Sequence, residues 1–406
     1  MKAFKANLIY TGKGLERNSY LVVEKDKILG LTKKKPDCEI VECEVVTPAF
    51  IDAHSHIGLA RSGEPEAEEE ANDILDQIQP LNNPLNSVYF DDKALSEAVE
   101  FGVLYSILVP GSGNVLGGQA VAIRNFSKSR KEALLKQIGF KLALGFNPRS
   151  TQEWKGARPS TRMGVYALLE KKFSEVLQKI RRHEIEKKRR ELELFRLLRK
   201  GEIEKEEVEN ELRLLEESKE LELTPDERCL LQILRKEKIL KVHAHKTDDL
   251  IYLTELKKKF GLKVVAEHLC DVATTETFNF LAENEIPITY GPLDAFPYKV
   301  ELKHETYKNV KKLVDSKAFY CLMSDHPVTL ARNLFLQLRF FLKFGLKKEE
   351  AISLLTFNAA RINGLEELGS LEKGKLASFV LWEKDPFQMD SFPKALVMEG
   401  EYKEVE

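Results

Sequence analysis

Six of the eight histidines in this 406-residue sequence sit at or just past the ends of apolar runs that read as strands: His54, His56, His243, His245, His268 and His326. His183 and His304 lie elsewhere. Residues two apart on a strand face the same way. His54 and His56 therefore point together, as do His243 and His245. A carboxylate, Asp325, closes a further apolar run. Imidazole suits zinc, iron, nickel and similar ions. Catalytic zinc sites combine a few histidine and carboxylate ligands with one open position. His54, His56, His243, His268 and Asp325 thus form a candidate ligand set. A lone strand-end histidine is more often a hydrogen-bonded core residue, and a lone aspartate before His-Pro is more often a helix cap. Five such residues, in order at the ends of four strands, argue for a metal.

For these residues to meet, the strands must converge. Eight short apolar runs recur at 47–53, 103–109, 119–124, 140–146, 239–245, 263–268, 286–291 and 318–325. Helical patterns at 91–101, 249–261 and 274–285 alternate with them. That βα rhythm places the chain in the α/β class and suggests a closed parallel barrel. In such a barrel the strand C-termini gather at one mouth, where distant residues share one site. The first 46 residues and roughly the last 40 read as short strands with polar turns. Each terminal set is too small for a core of its own, so the two are expected to pair into one small β-sandwich. The expected units are a sandwich from 1–46 plus 365–406 and a barrel from 47–364.

One segment, about 166–223, interrupts the rhythm with charged helix. Leu169, Phe173, Val176, Leu177 and Ile180 form a stripe at spacings of three and four, which Leu194, Leu198, Leu212 and Leu215 continue intermittently. Gly201 offers a turn, so the insertion reads as a helical hairpin. Thr224-Pro225-Asp226-Glu227 then opens a new helix, with Thr as cap, Pro in the first turn and Glu completing a capping box. The hairpin reads as a solvated insertion packed on the barrel. A lid or an oligomer contact is the sharper alternative.

The totals exclude several function classes. A net charge of -2 calls for neither nucleic acid nor an acidic membrane surface as partner. The start of the sequence resembles no signal peptide, and no run approaches the roughly 20 apolar residues of a membrane span. The five cysteines are odd in number and never spaced as CxxC, which argues against a disulfide framework or a zinc knuckle. A reduced, cytoplasmic protein acting on a small molecule is the expectation.

Taken together, these features resemble the metal-dependent amidohydrolase superfamily. TPAFIDAHSHIG resembles its PGFIDxHxHxG motif, with Ala49 for the common Gly, and Leu354–Trp382 resembles its C-terminal signature, with Ser378 for the usual Asp. PGSGNVLGGQ, PSTRMG, VHAHKTDD, AEHL, YGPL, KVEL and SDHPV are similar to the imidazolonepropionase-related branch. The resemblance covers essentially the whole chain except the helical insertion. It implies a distorted TIM barrel flanked by a small β-sandwich from both termini. It also implies ligands from an HxH pair on the first strand, one His each on the fifth and sixth, and Asp on the eighth. One departure stands out. Where the branch commonly has LGENP after its fourth strand, this sequence has LGFNP, so Phe146 fills the Glu slot. Phe cannot bridge two cations, and two close cations need a shared anion. Lys141, on the same strand, reads as too early and of opposite parity to Phe146. The expectation is therefore one divalent ion, zinc first, with Fe, Mn or Ni also suited to such ligands.

The expected chemistry is hydrolysis of a C–N bond, in an amide, cyclic amide or related group. Asp325 would shuttle the proton, and His268 would act as a further ligand or orient water and substrate. His245, His326, Gln119, Arg149 and Arg162 are expected to touch substrate, the arginines by gripping a carboxylate. Three alternatives stay open: a heterocycle deaminase, a prolidase-like dipeptidase, and a non-catalytic binding protein on the same fold. A homodimer is also expected.

Overall fold

The computed structural model describes residues 1–61, 69–150, 158–295 and 299–405. Strands β1 (Lys2–Tyr10), β2 (Leu15–Glu24), β3 (Lys27–Thr32) and β4 (Glu39–Pro48) come from the start of the chain. Strands β5 (Phe50–Ser55), β6 (Val103–Leu108), β7 (Leu116–Arg124), β8 (Leu134–Ala143), β9 (Ile239–Ala244), β10 (Val264–His268), β11 (Ile288–Tyr290) and β12 (Tyr320–Leu322) follow. The chain ends with β13 (Phe379–Trp382), β14 (Pro393–Met398) and β15 (Glu401–Glu404).

The strands form two sheets. The terminal sheet has seven, in the order β15-β14-β13-β4-β1-β2-β3. Its β4 is paired by β1 on one side and by β13 on the other, so both ends of the sequence meet on one strand. Alternation buries one face of it: Phe4, Ala6, Ile9, Leu21, Val46, Phe379 and Val397 pack in one apolar cluster.

The second sheet has eight strands in sequence order, β5 to β12, each on an expected apolar run. β5 and β6 are buried along their whole length, as strands covered on both faces must be. The sheet rolls into a nearly closed barrel. Past the strand ends, Asp325 N donates to His54 O at 3.1 Å and His56 N donates to His326 O at 3.0 Å. These bonds join the first strand to the segment after the last.

One strand departs from the expected all-parallel barrel. β7 runs antiparallel to both β6 and β8. The reason is connection length. Only residues 109–115 join β6 to β7, too few for the crossover that a parallel neighbour needs.

The charged insertion is two helices, Arg162–Lys200 and Lys205–Glu222. Gly201 caps the first at φ 69°, a left-handed conformation that glycine adopts without cost. Val165, Leu169, Phe173 and Val176 bury one stripe of the first helix. The next helix, Pro225–Leu234, starts with the expected capping box from Thr224 and Glu227. Among the described residues, no helix is long and apolar enough to cross a membrane.

Candidate metal centre

The HxH pair is set by β5. His54 is fully buried and His56 sits just past the strand end. Each imidazole is tied through Nδ1. His54 Nδ1 is 2.8 Å from Glu267 Oε2, and His56 Nδ1 is 2.8 Å from the Val109 carbonyl oxygen. A carbonyl or carboxylate at Nδ1 holds the proton there and leaves the Nε2 lone pair for a ligand. Both Nε2 atoms lie 3.3 Å from the same oxygen, Oδ1 of Asp325.

His268 ends β10 and follows the same rule. Its Nδ1 is 3.0 Å from the Gly291 carbonyl oxygen, and its buried Nε2 has no hydrogen-bond partner. Glu267 and His268 are consecutive, yet both reach the interior beside His54. Regular strand geometry would send them to opposite faces. His268 has φ 75°, a region rare for non-glycine residues, and this turns its side chain back. Asp325 is likewise at φ 52°. Such conformations cost roughly 1–3 kcal/mol each and persist where the surroundings enforce them.

His243 and His245, on and just past β9, are buried, and none of their ring nitrogens has a hydrogen-bond partner. Burial pushes both well below the ordinary histidine range, His245 to about 3. Buried imidazoles that are neutral and unbonded are what a cation would satisfy. Their ring centroids are 4.7 Å apart, and those of His243 and His268 are 4.3 Å apart.

The candidate residues thus fall into two adjacent groups, His54/His56/Asp325 and His243/His245/His268, with ligand atoms inside each group within 4.8 Å of one another. All five residues expected as ligands converge. His245, expected to face substrate, joins the second group. Burial opposes ionisation of Asp325, but His268, His54 and His56 outweigh it and hold its carboxyl well below the usual range. The donor set, with its bare buried nitrogens, fits divalent metal.

Lys141 is the main revision. It is fully buried on β8, with Nζ 2.8 Å from Glu267 Oε2 and 3.4 Å from His54 Nδ1. The long side chain reaches the site from a position that reads as too early. Phe146, by contrast, lies beyond the strand, past the turn at Gly145 (φ 78°), so strand parity does not extend to it. Lys241 joins the same interior cluster, with Nζ 2.7 Å from Glu267 Oε1.

The expected substrate contacts divide. His326 is buried and accepts the Ala331 N–H at Nδ1 (3.3 Å), which puts its own proton on Nε2. That tautomer is opposite to those of His54, His56 and His268, and makes His326 a donor beside the site. Arg149 is half-buried and donates from Nε to the Gly145 carbonyl at 2.6 Å. Arg162 is not placed as a substrate grip. Its Nε is 3.1 Å from Asp249 Oδ1, which also accepts from Tyr166, so it anchors the base of the hairpin. Gln119 lies half-buried on β7, its backbone N–H bonded to Asn82 O.

Three supporting residues escaped the sequence reading. Glu267 adjoins His268 and orients His54. Asp52 precedes the HxH pair by two and accepts both the N–H and the hydroxyl of Ser324, next to Asp325. Glu301, buried, lies near His243. A carboxylate inside an apolar run, as in FIDAH and AEHL, is the signal that could have found the first two.

The strand ends of the barrel thus bring together two histidine-rich groups that could hold metal. The amidohydrolase family matches residues 45–402, and the chain belongs to that family. It is 24% identical over 403 residues to the amidohydrolase tasK of Hapsidospora irregularis, covering 94% of this chain. The chain spans 39% of the length of that relative. Its fold is similar to the crystal structure of an amidohydrolase from Thermotoga maritima, with TM-score 0.85, 29% identity and 99% of each chain covered. A Xaa-Pro dipeptidase crystallised with methionine shares the fold at TM-score 0.58 and 13% identity, with 99% of each chain covered.

Proposed function

We propose that this protein hydrolyses a C–N bond, in an amide, cyclic amide or related group, with divalent metal. The observation that carries the reading is the convergence of two Nε2 atoms on one oxygen of Asp325, beside three further histidines with bare nitrogens. His54, His56 and Asp325 would hold one ion and His243, His245 and His268 a second, two ions where the sequence led to an expectation of one. Zinc is the first choice. Metal held there would bring the pKa of a bound water down toward about 7 and polarise a carbonyl.

The chain's own residues supply the rest. Asp325 accepts the proton of the attacking water and delivers it to the departing nitrogen. Glu267 and the carbonyls of Val109 and Gly291 keep three imidazoles in the tautomer that offers Nε2. Arg149 is assigned to a substrate carboxylate at the mouth. Lys141, once carboxylated, would supply the shared anion that two close ions need.

The motifs PGSGNVLGGQ and SDHPV support placement near the imidazolonepropionase-related branch. Cytoplasmic location is part of the reading and rests on the five free cysteines. A prolidase-like dipeptidase stays as the second reading, since the same two groups of ligand atoms would serve either substrate class. The test is turnover of the zinc-loaded protein on four panels: cyclic amides, N-acyl amino acids, amino-heterocycles and Xaa-Pro dipeptides. Asp325→Asn serves as the blank. Hydrolysis confined to the first two supports the main reading. Cleavage of Xaa-Pro alone replaces it with the second, and no turnover on any panel sinks both.

A further inference from the structure

Glu301 is a buried carboxylate with one oxygen engaged and one bare. Oε2 accepts the backbone N–H of Phe146 at 2.9 Å. Oε1 has no hydrogen-bond partner and lies 3.9 Å from Nε2 of His243. The residue arrives on a single turn of helix, Val300–Leu302, after β11, whereas His243 is carried by β9. The turn it meets is shaped for it. Gly145 has φ 78°, and a Cβ there would stand 2.8 Å from Glu301 Oε2.

The other site histidines show what is missing at His243. His54, His56 and His268 each have Nδ1 tied to an oxygen, so each offers Nε2. At His243 neither nitrogen is tied, and the nearby oxygen faces Nε2 instead. A ligating imidazole is neutral, and the nitrogen away from the ion donates its proton to an oxygen that orients the ring.

We infer that Glu301 is the positioning residue for His243: its free oxygen accepts a hydrogen bond from Nε2–H, which keeps the proton there and leaves Nδ1 as the nitrogen free for a ligand. The gap is about 1 Å longer than an ordinary charge-assisted hydrogen bond. A small turn of the carboxyl, pivoting on the Phe146 N–H, closes it. Phe146 then has a function despite its apolar side chain. The backbone at this position anchors a carboxylate that the chain supplies from elsewhere.

The inference deepens the metal-centre reading, and its test separates the two. In the metal-free protein, labelled with ¹⁵N-histidine and with His243 assigned through a His243→Gln variant, long-range ¹H–¹⁵N spectra report the tautomer. His243 is expected as Nε2–H. Glu301→Gln keeps the shape but reverses the polarity. Phe146 N–H claims the amide oxygen, so the amide NH₂ faces Nε2 and drives the proton to Nδ1. The same variant is expected to lose zinc from the second group to a chelator about 10–100-fold faster, with its unfolding midpoint near that of the parent. An Nδ1–H tautomer in the parent, or a tautomer and zinc loss unchanged in Glu301→Gln, would overturn the inference. If the parent itself takes up no zinc, the metal-centre reading falls, and the tautomers alone decide the role of Glu301.

Discussion

Lys141 Nζ and Glu267 Oε2 are 2.8 Å apart in the closed interior of the barrel, and both side chains are fully buried. Glu267 also meets Lys241 and His54, so one carboxylate ties β8, β9, β10 and β5 at the level of the metal centre. Removing one partner of a buried ion pair typically costs about 3–5 kcal/mol. Lys241 and His54 remain to offset Glu267, so Lys141→Met is expected near 3 kcal/mol by urea unfolding. The same variant lacks the nitrogen that carbon dioxide would modify. Elemental analysis should fall from about two metal equivalents per chain to about one. Two equivalents retained would remove Lys141 from the proposed bridge.

In the proposed reading, Asp325 combines ligation with proton transfer. Asparagine keeps its size and one oxygen but cannot accept a full proton. With a panel substrate in hand, Asp325→Asn should lower kcat by at least about 100-fold, the usual range for a lost acid–base group. Metal at the first group should weaken in parallel. A variant with parental turnover would place the proton shuttle on another residue.

Gly139 on β8 stands directly against Ile239 on β9. A Cβ there would lie 1.9 Å from the Ile239 carbonyl oxygen, a backbone atom that cannot step aside. Gly139→Ala must therefore part the two strands that carry Lys141 and His243. A loss of about 3 kcal/mol or more in chemical unfolding is expected, together with weaker zinc retention. A neutral substitution would mean that the strands accommodate a methyl group by sliding.

A homodimer through the hairpin remains a proposal. Leu177, Ile185, Leu192 and Phe195 are exposed, and at 100° per residue they fall within about 80° of one face. Leu214 of the second helix is exposed as well. A double change, Leu192→Glu with Phe195→Glu, should convert a dimer into a monomer in sedimentation equilibrium while sparing turnover. A parent that sediments as a monomer at micromolar concentration would remove the homodimer from the reading.

The strands were legible because apolar runs of the right length leave few alternatives once they recur eight times. The clustering of the histidines was legible because they punctuate those runs. Lys141 was not, since reasoning by parity gives a strand position but not the reach of a four-carbon side chain. Glu301 was not, because it sits on a single helical turn, Val300–Leu302, too short for any periodicity to say which way a residue faces. The reversed β7 could have been read. The stretch between β6 and β7 is too short for a crossover, and the glycines in PGSGNVLGG mark it as a turn rather than a helix.

The pairing of β4 has a consequence for how the molecule is made. β4 runs almost directly into β5 and the HxH pair, and one of its edges is covered by β13. As the chain emerges during synthesis, that edge stays open while more than three hundred residues are added. An uncovered strand edge recruits other strands, including those of neighbouring chains. The last strands to be translated therefore seal the strand that leads directly into the HxH segment. Chains released before residue 379 should be the aggregation-prone ones, even with every ligand residue already present.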